Sequence, residues 1–293
     1  MARAGRLVKP ESQDLIHLTV LRREQLSPHW MRVTLGGGEI EAFRPMGYDQ
    51  WFRIFLPVSG EQGLERIPAK ANKLFGYLKY LRIPEGVRPV MRNYTVRAYR
   101  PSSAERGAEI DVDFVLHSSA ADGTAGPAPR WAESCREGDS VVIIDEGLTF
   151  NPERGTDDVL LVADETGLPA IAGICASLPS TAMGLALVEV PTADDVLEFD
   201  RPDGVEVRWI VRDPASKPGT EVLAMLEALT DLPTGTDVHA YVVGEQALAT
   251  GGRRHLVNVR GLDKDAVSFC GYWRLEAESR SARSRLTDAP ATA

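Results

Sequence analysis

Apolar and polar side chains alternate in short bursts through the first third of the chain. Leu15-Ile16-His17-Leu18-Thr19-Val20, Trp30-Met31-Arg32-Val33-Thr34-Leu35 and Trp51-Phe52-Arg53-Ile54-Phe55-Leu56 are β-rich runs, punctuated by Gly36-Gly37-Gly38 and by Pro57. Such runs predict a small antiparallel barrel. Residues 68–82 change period: Leu74, Leu78 and Leu81 recur at helical spacing beside Lys70, Lys73 and Lys79, which predicts a short amphipathic helix or an ordered loop. Strand periodicity returns at 91–97 and 109–117. A turn-rich stretch at 122–129 then runs into a helix starting near Pro129, and Ser140–Ile144 reads as the last barrel strand.

The second half has a different texture. Asp158–Ala163 is continuously apolar after its first residue, as in a parallel strand covered on both faces. Helical spacing follows at 170–178, 220–229 and 247–259, with strand candidates at 185–190, 205–211, 238–243 and 267–273. Strands interleaved with helices predict a doubly wound parallel α/β domain. The polar stretch 151–158, with Pro152 and Gly155, marks the boundary, giving a barrel domain at 14–152 and an α/β domain at 156–276. Residues 1–13 read as frayed, and the tail 277–293 is expected to be disordered.

Composition narrows the class. A chain of 293 residues with 43% hydrophobic content buries a core without staples. It holds no apolar run of membrane-spanning length and no signal-peptide core, so a cytoplasmic protein without a membrane partner is expected. Cys135, Cys175 and Cys270 form no C-x-x-C pair, which argues against a disulfide framework, a zinc site or an iron–sulfur cluster. The net charge of -9 argues against nucleic acid as a partner. Charge is nevertheless uneven: residues 1–155 carry 21 Lys+Arg against 20 Asp+Glu, and residues 156–293 carry 12 against 22. Between Lys70 and Arg100 eight basic residues face one acid, Glu85. A solvated face and a local attractor for an anionic ligand both fit that run.

Candidate chemistry gathers at Arg92-Asn93-Tyr94-Thr95-Val96-Arg97. A strand period puts Arg92 and Tyr94 on one surface. Guanidinium forks bind phosphate, and a tyrosine covers a flat ring, so the set suits a planar, phosphate-bearing ligand. An edge strand with solvated arginines has the same spelling. Farther on, Gly123 and Gly126 allow close backbone approach, and the helix after them offers free N–H groups to an anion. In the second domain Asp164-Glu165-Thr166-Gly167 stands where a dinucleotide fold carries G-x-G-x-x-G, with Gly167 alone present. An acidic pair there also serves as a helix cap.

Taken in order, several blocks resemble the siderophore-interacting proteins, a group of ferredoxin-reductase-like flavoenzymes. They are Arg92-x-Tyr94-Thr95-x-Arg97, Asp113-Phe114-Val115-Leu116-His117, Gly126-Pro127-Ala128-x-x-Trp131-Ala132, Asp164 to Ala170, Gly244-Glu245 and Gly271-Tyr272-Trp273-Arg274. The resemblance spans roughly residues 15–275. It implies an FAD-dependent, NAD(P)H-linked reductase that takes iron from a ferric siderophore.

The same resemblance assigns roles. Arg92, Tyr94, Thr95, Val96 and Arg97 would contact FAD, with one arginine on the pyrophosphate. Asp113, Phe114, Val115 and His117 would line the flavin, His117 as a cofactor contact rather than an acid catalyst. Thr124, Gly126, Pro127, Ala128 and Trp131 would hold the phosphate and adenine end. Asp164, Glu165, Thr166, Gly167, Gly244, Glu245, Tyr272 and Trp273 would form the nicotinamide and substrate cleft. Lys73, Lys79 and Arg82 are candidates for docking an anionic siderophore. No residue is expected to be catalytic, because the flavin carries the redox step. Two further readings stay open: a flavin-bearing siderophore-binding protein driven by a separate ferredoxin or reductase, and a general NAD(P)H:flavin electron-transfer reductase. A monomer is expected. The chain departs from the family pattern at Leu275-Glu276-Ala277-Glu278, where a basic residue and glycine are usual, and at Pro129.

Overall fold

Antiparallel pairing organises the first half of the chain into β1 (Leu15–Ser27), β2 (Trp30–Gly36), β3 (Trp51–Leu56), β4 (Val90–Thr95), β5 (Ala98–Arg100), β6 (Glu109–Val115) and β7 (Ser140–Gly147). The computed structural model describes residues 7–58, 61–69, 74–116, 126–152, 158–230 and 238–275. His117, Thr124, Lys73 and the tail 277–293 therefore lie outside the described residues.

The sheet runs β4-β3-β7-β1-β2-β6-β5, so its two ends are consecutive pieces of one run. The N–H of Val96 donates to the Gln50 carbonyl at 2.8 Å and that of Arg97 to the Asp111 carbonyl at 2.9 Å. Between those residues the chain passes from its β3 partner to its β6 partner, and the sheet closes. With the interrupted strand counted once, the barrel has six strands. Leu18, Val33, Ile54, Ile110, Val112, Phe114 and Ile143 fill its interior.

Helix α1 (Leu74–Leu81) covers the outer face of β3 and β7, with Leu78 and Leu81 off its buried side. Both leucines are exposed, and Tyr80 is the buried anchor. Its ring meets Phe55 edge-on at 5.7 Å and its hydroxyl donates to the Pro89 carbonyl at 2.7 Å. That one aromatic sets the helix rotation against the leucine spacing. Helix α2 (Pro127–Ser134) closes an end of the barrel, with Ala128, Trp131 and Ala132 buried.

The second half forms β8 (Asp158–Ala163), α3 (Leu168–Ser177), β9 (Gly184–Val190), β10 (Val205–Val211), α4 (Thr220–Ala228), β11 (Val238–Glu245), α5 (Gln246–Asn258) and β12 (Val267–Trp273). All neighbours pair in parallel, in the order β10-β9-β8-β11-β12. Side-chain alternation along β8 explains the double winding. Val159, Leu161 and Ala163 pack with α3, and Leu160 and Val162 pack with α4 and α5. No helix joins β9 to β10, where one short turn at Ala193–Asp195 interrupts the link. The strand order reverses between β8 and β11, and ligands of such sheets bind outside the carboxyl ends at that point.

The halves share apolar and polar contacts. Trp30 and Phe150 sit in the core of the α/β domain, both fully buried. Asp195 accepts from Ser27 Oγ at 2.6 Å and from the His29 N–H at 3.1 Å, tying the β1–β2 turn to the second domain. These contacts hold the barrel strand β4 opposite the carboxyl ends of the parallel sheet. Among the described residues no helix is long and apolar enough to cross a membrane.

Candidate functional site

A cleft of about 430 Å³ opens where the two domains meet. One wall is barrel: Trp51, Arg92, Asn93, Tyr94, Thr95, Asp113, Val115 and Thr149. A second is the start of α2, Gly126 to Pro129, and the third is the carboxyl edge of the parallel sheet, with Thr166, Pro169 and Cys270 to Trp273.

On β4, pleating sets the geometry. Arg92 and Tyr94, two residues apart, both face the cleft, as strand period requires. The Tyr94 ring leans on Phe114, centroids 4.2 Å apart, and Phe114 meets Trp131 at 5.6 Å. Phe114 and Trp131 are thus a supporting layer behind Tyr94 and do not line the cleft, which corrects the expected ligand contact of Trp131. Burial pushes the Tyr94 phenol well above its usual range, with a small opposing pull from Arg92, so the ring stays neutral. Arg92 is exposed and its Nη1 donates only to the neighbouring Met91 carbonyl, at 2.8 Å. Asp113 lines the cleft with its carboxylate already gripped by Arg32, at 2.7 and 2.8 Å. Val96 and Arg97 turn off this surface at the strand break: Val96 enters the barrel core, and Arg97 lines a separate cavity.

Two features show what the cleft accepts. The indole N–H of Trp51 is buried and has no hydrogen-bond partner among the described residues. A Cβ added to Gly126 would meet nothing nearer than Pro129 Cδ at 3.8 Å, so the backbone of the α2 start borders open space. A neutral aromatic face, an unpartnered N–H, an arginine without an acidic partner among the described residues and an uncrowded Gly126 backbone suit a flat heterocycle linked to phosphates. FAD fits that description.

On the opposite wall Asp164 is the organising group. Its carboxylate accepts from the Thr166 N–H at 2.9 Å, the Thr166 hydroxyl at 2.5 Å, the Glu245 N–H at 2.6 Å and the Trp273 indole at 3.2 Å. Burial, and behind it the charge of Glu165, pushes Asp164 up to about 7, and the hydrogen bonds pull it back. Gly244 takes φ +127°, and a Cβ there would lie 2.5 Å from the Asp164 carboxyl carbon. Gly244 therefore makes room for the carboxylate, and Asp164 in turn fixes Thr166 and Trp273 at the cleft.

Glu165 does something else. It is fully buried and pairs with Arg212 at 2.7 and 3.1 Å, and Arg212 also holds Glu189 at 2.8 Å. The expectation that Glu165 faces the cleft is corrected, since this ion pair draws it to the other side of the β8 end. Gly167 packs against Ala163 and Val243, where a Cβ would come within 2.6 Å of each. Glu245 caps α5 through the Ala247 N–H and accepts from the Leu275 N–H at 3.1 Å, so its carboxylate is structural. Lys79 and Arg82 are exposed but do not line the cleft.

Reading the sequence missed Trp51, Asn93, Thr149, Pro169 and Cys270 as cleft residues, and it missed the Asp49–Tyr241–Tyr272 chain. Tyr241 donates to Asp49 at 2.9 Å, and its oxygen lies 2.8 Å from that of Tyr272. Trp51 had no local signal: it reaches the cleft by pairing across the ladder with Thr95 on β4.

Comparison with known proteins agrees with this architecture. A family model described as siderophore-interacting FAD-binding domain matches residues 19–149, and one described as siderophore-interacting protein matches residues 156–276. An uncharacterized protein of Mycobacterium tuberculosis is 34% identical over 87% of this chain and 88% of its own. Ferric vibriobactin reductase ViuB of Vibrio cholerae is 28% identical over 88% of each chain. The NADPH-dependent ferric-chelate reductase of Escherichia coli is 27% identical over 87% of this chain and 91% of its own. Among solved structures, a siderophore utilization protein from T. fusca superposes with a TM-score of 0.72 at 28% identity, covering 93% of this chain and 98% of that one. Both halves of the molecule, the barrel that carries β4 and the parallel sheet that faces it, thus match in one order, and the chain belongs to the siderophore-interacting protein family.

Proposed function

We propose that this protein is an FAD-dependent reductase that uses NAD(P)H to reduce a ferric siderophore and release its iron as Fe(II). The observation that carries the reading is the single cleft in which β4 of the barrel faces the carboxyl ends of β8 and β12. The relatives named as ferric vibriobactin reductase and NADPH-dependent ferric-chelate reductase support the same chemistry. Bound FAD supplies hydride acceptance from a nicotinamide and delivery of single electrons to Fe(III).

The chain's own residues bind and orient. Tyr94, Thr95, Trp51 and Thr149 hold the ring system, and Arg92 and the N–H groups of Gly126 and Ala128 hold the phosphates. Thr166, Tyr272 and Trp273 shape the nicotinamide side, fixed from behind by Asp164. Lys79 and Arg82 are exposed and attract an anionic ferric siderophore. Fe(II) binds hard oxygen chelators less well than Fe(III), so reduction loosens the complex. The protein works in the cytoplasm as a monomer.

A second reading has one observation in its favour. Gly167 is the only glycine of the β8–α3 turn and is packed against side chains, so this turn offers no glycine cradle for a pyrophosphate. In that reading a ferredoxin or separate reductase supplies the electrons. Anaerobic mixing of the FAD-loaded protein with NADPH, then with ferric siderophore and an Fe(II) chelator, tests both. Flavin bleaching by NADPH followed by chelated Fe(II) supports the first reading. Bleaching by reduced ferredoxin alone supports the second, and Fe(II) production without flavin opposes both.

A further inference from the structure

Arg97 stands at the break between β4 and β5 and turns away from the cleft. It lines a second cavity of about 250 Å³ between the barrel and the α/β domain. Its side chain is 19% exposed, and its contact with Asp113 Oδ2 is 3.6 Å long, outside hydrogen-bonding range. That oxygen is already engaged, because Arg32 holds the Asp113 carboxylate through Nε at 2.7 Å and Nη2 at 2.8 Å.

Among the described residues the neighbouring acids give Arg97 no hydrogen bond. Asp111 is gripped at 2.6 Å by both Nη atoms of Arg100, and Asp200 is exposed. Glu198, on the cavity wall, is 77% exposed with Arg201 at 3.4 Å. Two guanidiniums, Arg32 and Arg97, thus face one carboxylate, and among the described residues the Arg97 fork has no hydrogen-bond acceptor. Burial lowers the Arg97 pKa, and the charge of Asp113 pulls it back. The remaining walls are apolar: Leu26, Leu168, Ala172, Val196, Leu197 and Phe199.

We propose that this interdomain cavity binds a small monocarboxylate with an apolar body, its carboxylate paired with Arg97. A planar carboxylate supplies the acceptors that the Arg97 fork lacks and matches its geometry. The six apolar side chains of the lining give a compact hydrocarbon body a contact surface. Such an occupant touches β2, β6 and α3 together, so it stabilises the docked domains by mass action. Asp113 is common to both cavities, which makes this site a neighbour of the cleft with its own cationic group.

Benzoate is the probe, titrated by calorimetry into the full-length, FAD-loaded protein, with benzamide and inorganic phosphate as comparisons. Benzoate is expected to bind one per chain, with benzamide and phosphate at least tenfold weaker. Arg97→Gln is expected to weaken benzoate at least tenfold. Should that variant fail to fold, Ala172→Leu fills the cavity from α3 without altering a charge and is expected to give the same loss. Absence of benzoate binding at millimolar concentration overturns the proposal. So does binding that survives both substitutions, phosphate as tight as benzoate, or displacement of benzoate from the apoprotein by FAD, which would put the anion in the flavin cleft.

Discussion

The hydroxyl of Tyr272 lies 2.8 Å from that of Tyr241, whose own O–H donates to Asp49 at 2.9 Å. Tyr272 lines the cleft, and Tyr241 and Asp49 are buried. Asp49 lies on the barrel side, just before β3, and also takes the N–H groups of Thr149 and Phe150. A cleft aromatic is therefore tied to a buried carboxylate through both domains. Burial pushes Asp49 up, and the donors pull it down.

Tyr241→Phe removes the middle of that chain and leaves Asp49 short of one donor. A loss of about 1–3 kcal/mol in unfolding free energy is expected. Tyr272→Phe, which removes only the cleft-side hydroxyl, is expected to cost less. Denaturant titration of the two variants compares them, and equal losses contradict the chain as drawn. A change in the emission of bound FAD in both variants checks that the chain positions Tyr272 in the cleft.

Glu165→Gln separates structure from chemistry at the β8 end. The buried Glu165–Arg212–Glu189 set loses a charge that Arg212 needs, and a cost of about 3–5 kcal/mol is expected for breaking such a pair. Its KM for NADPH is expected to stay within twofold of wild type, because Glu165 does not line the cleft. A large KM effect in a stably folded variant contradicts that placement.

Lys79→Glu with Arg82→Glu tests the docking surface. The double variant is expected to raise KM for an anionic ferric siderophore several-fold and to leave reduction of a neutral acceptor unchanged. The effect is expected to shrink at high salt, since these side chains are exposed. Steady-state rates at two ionic strengths decide it, and equal loss on both acceptors contradicts the assignment.

His239 on β11 gives a pH signature. Burial lowers its pKa to about 4, and its ring shares a 2.9 Å hydrogen bond with Ser268. Between about 6.5, the value of an unfolded His, and 4 the unfolded chain binds a proton that the folded one does not. Stability from this group is thus present above pH 6.5 and is lost as pH falls toward 4, by roughly 3 kcal/mol. His239→Gln is expected to flatten that part of the stability profile, measured by denaturant titration at several pH values. A profile parallel to that of wild type contradicts it.

What the sequence revealed follows the range of the forces involved. Arg92 and Tyr94 were legible because a two-residue period alone puts them on one face, and the Asp164 cap because Thr166 is two residues away. Glu165 was misplaced because its partner Arg212 is 47 residues distant and on another strand end. The tie from Tyr241 to Asp49 spans 192 residues, and neither residue carries a local signal. Leu78 and Leu81 misled because helical spacing gives a period and no absolute rotation, which Tyr80 supplies through Phe55 and Pro89. The strand order of the α/β domain was legible in class and not in sequence of neighbours, since parallel pairing leaves the order of strands open.

The central claim is that β4 holds FAD in the interdomain cleft, with Arg92 on its phosphates. Equilibrium binding of FAD to the apoprotein, read by quenching of flavin fluorescence, tests it most directly. Arg92→Gln is expected to weaken FAD by about 10-fold or more, the equivalent of one charge-assisted hydrogen bond, with the unfolding midpoint of the apoprotein unchanged. An Arg92→Gln protein that binds FAD as tightly as wild type would contradict the account.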